Sequence, residues 1–147
     1  MTKLSFNLSN DLDRFDFDTF NVRPEVYLGQ RAAYLENGSV VLLREEISFS
    51  CFRLQAEVAI PGQDGFCGIV FGAKDSSNYE LIYLSPNEIQ YDPVMNGSNT
   101  WQIYHGNLYQ KPIPNITGKW VKLAVEIQPN GAAVYVGEAA VPQMIIP

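Results

Sequence analysis

The stretch Asn78-Tyr79-Glu80-Leu81-Ile82-Tyr83-Leu84-Ser85-Pro86 decides how the rest of the chain is read. Its apolar and aromatic residues end at Pro86 and follow the polar run Lys74-Asp75-Ser76-Ser77-Asn78, so they have the composition of a strand leaving a turn. Ahead of that turn, Cys67-Gly68-Ile69-Val70-Phe71-Gly72-Ala73 is a second strand-like run. The two read as a hairpin in which Glu80 stands opposite roughly Gly72, with Ile82 and Val70 alongside. Gln90-Tyr91-Asp92-Pro93-Val94 and Trp101-Gln102-Ile103-Tyr104-His105 follow as further extended segments.

Residues 50–60 show the cleanest alternation. Phe52, Leu54, Ala56, Val58 and Ile60 share one face, and Cys51, Arg53, Gln55 and Glu57 share the other. A period of two places the first set in a core and the second toward solvent or a groove. Val121, Leu123, Val125 and Ile127 repeat the pattern, with Lys122 and Glu126 opposite, and Pro129-Asn130-Gly131 turns the chain into residues 132–138. Toward the start, residues 2–8 alternate as a strand would. Residues 22–28 are a strand candidate that Pro24 confines to an edge, and residues 30–35 follow. Asn37-Gly38 reads as a hairpin turn between Ala33-Tyr34-Leu35 and Val40-Val41-Leu42-Leu43. The acidic residues 10–18 have room for a turn of helix and nothing longer. About ten short strands separated by Gly, Pro and Asn describe an all-β, antiparallel two-sheet sandwich, or jelly roll, formed by one domain over residues 1–147.

The bulk properties agree with a folded domain. The 147 residues are 46% hydrophobic and 12% aromatic, unlike a disordered chain. A net charge of -6 offers no footprint for a phosphate backbone or an anionic membrane, so neither nucleic acid nor membrane is expected as a partner. No apolar run approaches the roughly 20 residues of a membrane span. Met1-Thr2-Lys3-Leu4-Ser5-Phe6-Asn7 lacks the apolar centre of a signal peptide, which leaves a cytoplasmic protein or a mature secreted form. Of the two cysteines, Cys51 and Cys67, the second faces roughly Ile60 if residues 61–65 close a hairpin. The first then lies near its far end, too distant for a disulfide, so two free thiols are expected. With His105 as the single histidine, no zinc cluster can be assembled.

The series Gly68-Ile69-Val70-Phe71, Asn78-Tyr79-Glu80, Tyr83-Leu84, Gln90-Tyr91, Pro93-Val94, Asn96-Gly97 and Trp101-Gln102-Ile103-Tyr104-His105-Gly106 resembles the concanavalin A-like lectin/glucanase superfamily. It is most similar to bacterial laminin G-like domains. Gly118-Lys119-Trp120-Val121-Lys122 and Ala133-Val134-Tyr135-Val136 extend the likeness, which covers residues 29–138. The resemblance implies two curved antiparallel sheets with a ligand site on the concave face or rim loops, often for glycans, and in some members a structural calcium. The chain departs from the pattern where Gly72 and Ser85 stand in place of arginines and in a short connection over residues 85–89. It departs again where only residues 144–146 remain to close the sandwich. An unclosed edge invites pairing with another chain: either the N-terminal strand fills the gap, or the domain associates as a homo-oligomer through that edge, or the sequence is a fragment.

The chemistry follows from residue types. Sugars present flat C–H faces that stack on rings, and hydroxyls that bond to amides and carboxylates. Gln90, Tyr91, Trp101 and Tyr104 supply both kinds, Glu80 a carboxylate and Arg53 a cation, so these six are the expected ligand-binding residues. The competing reading makes the rings core and Glu80 an edge charge bonded to a neighbour such as Arg53. No catalytic residues are assigned. The Glu-x-Asp-x-x-Glu string of the superfamily's glucanases is absent, and Glu88-Ile89-Gln90-Tyr91-Asp92 lacks the central acid. Glu80 with Asp92 across neighbouring strands is the pair left to consider for cleavage, and it is the weaker reading. Asp11, Asp13, Asp16 and Asp18 crowd one segment beside Asn10, but without the spacing of a calcium loop they read as a solvated acidic turn. Sequons at Asn7, Asn37, Asn96 and Asn115 coincide with turns. A non-catalytic, lectin-like module binding a glycan or related polar polymer is the expected function. An assembly module and a hydrolase of the glucanase or keto-disaccharide type are the alternatives.

Overall fold

Alternation of apolar and polar residues produces strands throughout, and the only helical element among the described residues is a 3-10 turn at Leu12–Arg14. The computed structural model describes residues 3–36, 38–45, 50–100, 106 and 108–146. The fold is all-β and antiparallel, and one of its sheets curls into half a barrel. Contacts divide the chain into two compact units, Met1–Ser48 and Phe49–Pro147.

The first unit holds four short strands: β1 (Phe15–Asp16), β2 (Val22–Tyr27), β3 (Gln30–Leu35) and β4 (Leu42–Leu43). β1 pairs with β4, and β2 with β3. Leu12, Phe15 and Val22 are its buried apolar residues. Phe6 meets Phe15 edge-on at 5.4 Å while the Arg14 guanidinium lies over the Phe6 ring. Two expectations are corrected here. Residues 3–8 form no strand; Asn7 and Ser9 begin a turn whose backbone is bonded by Asp11. The hairpin of this region turns at Leu28-Gly29, both in the left-handed region, so Ala33-Tyr34-Leu35 pair back onto Val22-Arg23-Pro24 rather than forward onto residues 40–43. Asn37 lies outside the described residues. Pro24 does sit in a strand paired on one side, as its missing N–H requires.

The second unit contains β5 (Phe52–Ala59), β6 (Cys67–Asp75), β7 (Asn78–Ser85), β8 (Glu88–Tyr91) and β9 (Val94–Met95). It continues with β10 (Ser98–Asn99), β11 (Gln110–Pro112), β12 (Trp120–Gln128), β13 (Gly131–Val136) and β14 (Met144–Ile146). A four-stranded sheet runs β14-β13-β12-β5. Its register sets Leu54 against Val125, Ala56 against Leu123 and Val58 against Val121, so the apolar faces read from both segments coincide. The Pro129-Asn130 turn closes the β12–β13 hairpin between Gln128 and Gly131. In the six-stranded sheet, β7 is flanked by β6 on one side and by β8 and β9 on the other. Its continuous apolar run Leu81-Ile82-Tyr83-Leu84 suits a strand covered on both faces.

Val58, Ile60, Leu123, Val125, Val134, Met144 and Ile146 from the four-stranded side form one buried cluster with Ile69, Ile82, Leu84, Ile89, Ile113 and Ile116. β5 and β6 belong to different sheets, so residues 61–65 cross between sheets instead of closing a hairpin, and the register inferred for the cysteines is corrected. β5 spends its hydrogen bonds on β12, and the Ile60 carbonyl accepts from the Gly118 N–H. Both thiols are nevertheless free.

Cys51 is exposed, whereas Cys67 packs against the core, and burial pushes its thiol up to about 11 from an ordinary 9.0. Because the thiolate is the nucleophile, Cys51 is expected to react at once with a disulfide reagent at neutral pH and Cys67 only on unfolding. The folded value lies above the unfolded one. The stability gained from keeping this thiol neutral is therefore present in full below about pH 9 and lost as pH rises toward 11. Cys67→Ala is expected to flatten that alkaline decline in an unfolding titration; two equally fast thiols would contradict the assignment.

Candidate functional site

β6 and β7 are in register from Cys67 opposite Leu84 to Phe71 opposite Glu80, then slip, so that Asp75 faces Asn78. Residues 72–74 thus stand against Tyr79 alone. The surplus is absorbed at Gly72, whose φ of 59° is easy only for glycine. Glu80 therefore lies opposite Phe71, with Gly72 displaced beside its stem, a one-residue correction to the sequence register.

The slip opens a groove of about 250 Å³ lined by Gly72, Lys74, Asn78, Tyr79, Glu80, Pro93, Val94 and Met95. Two tied turns shape one end. The Asp75 carboxylate accepts from the Asn78 side-chain amide at 3.0 Å and from the Ser77 N–H at 2.8 Å, and these bonds hold its carboxyl below the usual range. Asn78 in turn accepts from the Asn96 N–H at 3.0 Å, and the Gly97 N–H donates to the Ser77 carbonyl at 2.8 Å. Asn96 and Gly97 both have left-handed φ, as a tight turn between β9 and β10 demands. Glu80 is fixed by the Tyr91 hydroxyl, which donates to its Oε2 at 2.5 Å. The Tyr91 ring rests against that of Tyr109, 5.8 Å between centres.

A polar cluster lies inside the sheet nearby. Asp92, 1% exposed, accepts from the Asn99 side chain at 2.9 Å and the Thr100 N–H at 2.8 Å. Burial raises the Tyr83 phenol to about 12, helped by the charge of Asp92 and a hydrogen bond to it. Burial and the Asp92 charge also raise Tyr79. Gln90, 2% exposed, donates to the Tyr91 carbonyl at 2.7 Å and accepts from Gln110 at 2.6 Å.

Of the residues expected at a ligand site, Glu80 lines the groove, and Tyr91 reaches it through Glu80. Gln90 is interior. Arg53 lies on the four-stranded sheet, bonded to Glu126 at 2.6 Å and stacked over Tyr135, so it is not the partner of Glu80. Trp101 and Tyr104 lie outside the described residues. Asp92, the other carboxylate considered with Glu80, is 1% exposed, and its two oxygens accept from Asn99 and Thr100. Lys74, Asn78 and Met95 were not singled out from sequence; the turn composition of residues 74–78 and the Asn96-Gly97 dipeptide were their signals. The crowded aspartates bond locally: Asp18 to the Phe20 N–H and Asn21, Asp16 to Arg44, and Asp11 to the Asn7 N–H. Among the described residues no three His, Cys, Asp or Glu side chains gather as a metal site.

No protein-family model, curated protein or solved structure matches the chain.

Proposed function

We propose that the second unit is a concanavalin A-like sandwich of the jelly-roll kind and serves as a non-catalytic, lectin-like module that binds a glycan or related polar polymer in the groove beside β7. The observation that carries this reading is that Lys74, Tyr79 and the anchored Glu80 line one groove. A ring offers a stacking face for sugar C–H groups, a carboxylate accepts from hydroxyls, and an ammonium donates to them. With one oxygen held by Tyr91, Glu80 has its geometry set before a ligand arrives, which lowers the ordering cost of binding. The volume of about 250 Å³ is below the roughly 300 Å³ at which drug-sized sites begin, and suits one sugar unit of a chain that continues into solvent. Glu80 is the one carboxylate among the groove's lining residues, which favours binding over glycosidic cleavage, where two are needed.

A glycan array followed by calorimetric titration of the best binder tests the proposal. Glu80→Gln keeps the shape but removes the charged acceptor, and is expected to weaken binding about tenfold, the effect of roughly 1.5 kcal/mol. Absence of binding to any sugar, or equal affinity for the Glu80→Gln protein, would remove this reading.

A further inference from the structure

The groove beside β7 stops at a wall built from two turns. One joins β6 to β7; the other is the Asn96-Gly97 turn between β9 and β10, across which Met95 pairs with Ser98. Of the residues lining the groove, Lys74 and Asn78 adjoin the first turn and Met95 adjoins the second. Two hydrogen bonds join the turns to each other. The Asn96 N–H donates to Asn78 Oδ1 at 3.0 Å, and the Gly97 N–H donates to the Ser77 carbonyl at 2.8 Å. The Asn78 side-chain amide donates to both oxygens of Asp75, at 3.0 and 3.2 Å, and the Ser77 N–H donates to the same carboxylate. The polar atoms of the wall are thus spent on one another.

The β9–β10 ribbon is fixed at its base as well as at its tip. The Asp92 carboxylate holds the Asn99 side chain at 2.9 Å and the Thr100 N–H at 2.8 Å, and the Thr100 hydroxyl donates to the Pro93 carbonyl at 2.5 Å. Val94 is buried, with Tyr79 opposite it on one side and Asn99 on the other. Asn96 and Gly97, at φ 51° and 78°, take the left-handed conformation that suits a two-residue turn between twisted strands. Swinging the ribbon aside would break bonds at both of its ends.

We infer that this groove takes the end unit of a glycan chain and not a unit within it. This rests on the glycan reading of the groove and adds which part of the glycan is held. A unit seated against the tied turns continues as a chain in one direction only. A unit within a chain continues in two, and its second neighbour would have to pass through the bonds from Asn96 to Asn78 and from Gly97 to Ser77. Breaking them leaves backbone groups of a tight turn without their partners, a cost that an end unit avoids. The volume of about 250 Å³ agrees with one unit held at a closed end.

Amide exchange in the free protein, and titration with one glycan at two chain lengths, test this. The probe is the strongest unbranched glycan of the array, used as an oligosaccharide and as its polymer. The expected stoichiometry is one protein per chain at both lengths, so that at equal mass the oligosaccharide, with more ends, competes better. With no glycan present, Asn78→Ala is expected to speed exchange of the Asn96 amide about tenfold, the effect of losing one hydrogen bond. The measurements on the unsubstituted protein stand whether or not that variant folds. Several proteins bound along each polymer chain would overturn the inference and leave glycan binding in place. So would Asn96 and Gly97 amides that exchange as fast as in an unstructured peptide, since the wall would then stand open. Binding to no glycan at all removes the glycan reading and this inference with it.

Discussion

Gly68→Ala is expected to destabilise the second unit by about 3 kcal/mol, at the upper end of what overpacking costs. Gly68 faces Tyr83 across the β6–β7 ladder. A methyl group there would run into the Ile82 carbonyl oxygen and stand 2.5 Å from the Tyr83 Cα. These are backbone atoms of a strand held on both sides, so no rotamer change relieves the clash. Either β6 moves outward and loses its pairing, or β7 shifts within the core. Gly62→Ala is the matched control, with nothing within 4 Å of the added carbon, and is expected within about 0.5 kcal/mol of the original protein. Urea unfolding of both variants checks the pair. Coincident midpoints would show that the strands do not approach so closely at Gly68.

Ile82→Ala is expected to cost about 4 kcal/mol, and Ile82→Val about 1 kcal/mol. Ile82 is fully buried at the middle of β7, opposite Ile69 on one side and Tyr91 on the other. It belongs to the cluster shared by residues of both sheets, so truncation leaves a cavity that neither sheet can close alone. Val26→Ala, at a position 61% exposed on β2, is expected to change little by comparison. Thermal or urea unfolding distinguishes these outcomes, and a loss at Ile82→Ala no greater than at Ile82→Val would mean that the core relaxes into the space.

Local pattern was a good guide wherever one face of a strand is dry. The face of Leu54, Ala56 and Val58 and that of Val121, Leu123 and Val125 were separable in sequence because alternation is a property of the chain itself. The Pro129-Asn130-Gly131 turn was legible for a similar reason, since turn chemistry resides in adjacent residues. Asn37-Gly38 misled, because Leu28-Gly29 makes the hairpin instead, with a leucine in a left-handed conformation that no propensity favours. The candidate site was half legible. Glu80 stood out as a charge on an apolar strand, but the bulge that opens its groove depends on how many β6 residues the β7 ladder accepts.

By itself the sequence determined that the chain folds as antiparallel strands and which faces of the principal strands are buried. Those properties follow from period-two alternation and short-range turns, which need no distant partner to be expressed. Tertiary structure alone decided that β5 and β6 belong to different sheets and that Gln90 and Asp92 are interior. It likewise decided that Arg53 answers Glu126, and that β14 pairs with β13 in the four-stranded sheet. These depend on which of many compatible strands pair across long stretches of chain. That choice is set by the packing of the whole core, which local residue order does not encode.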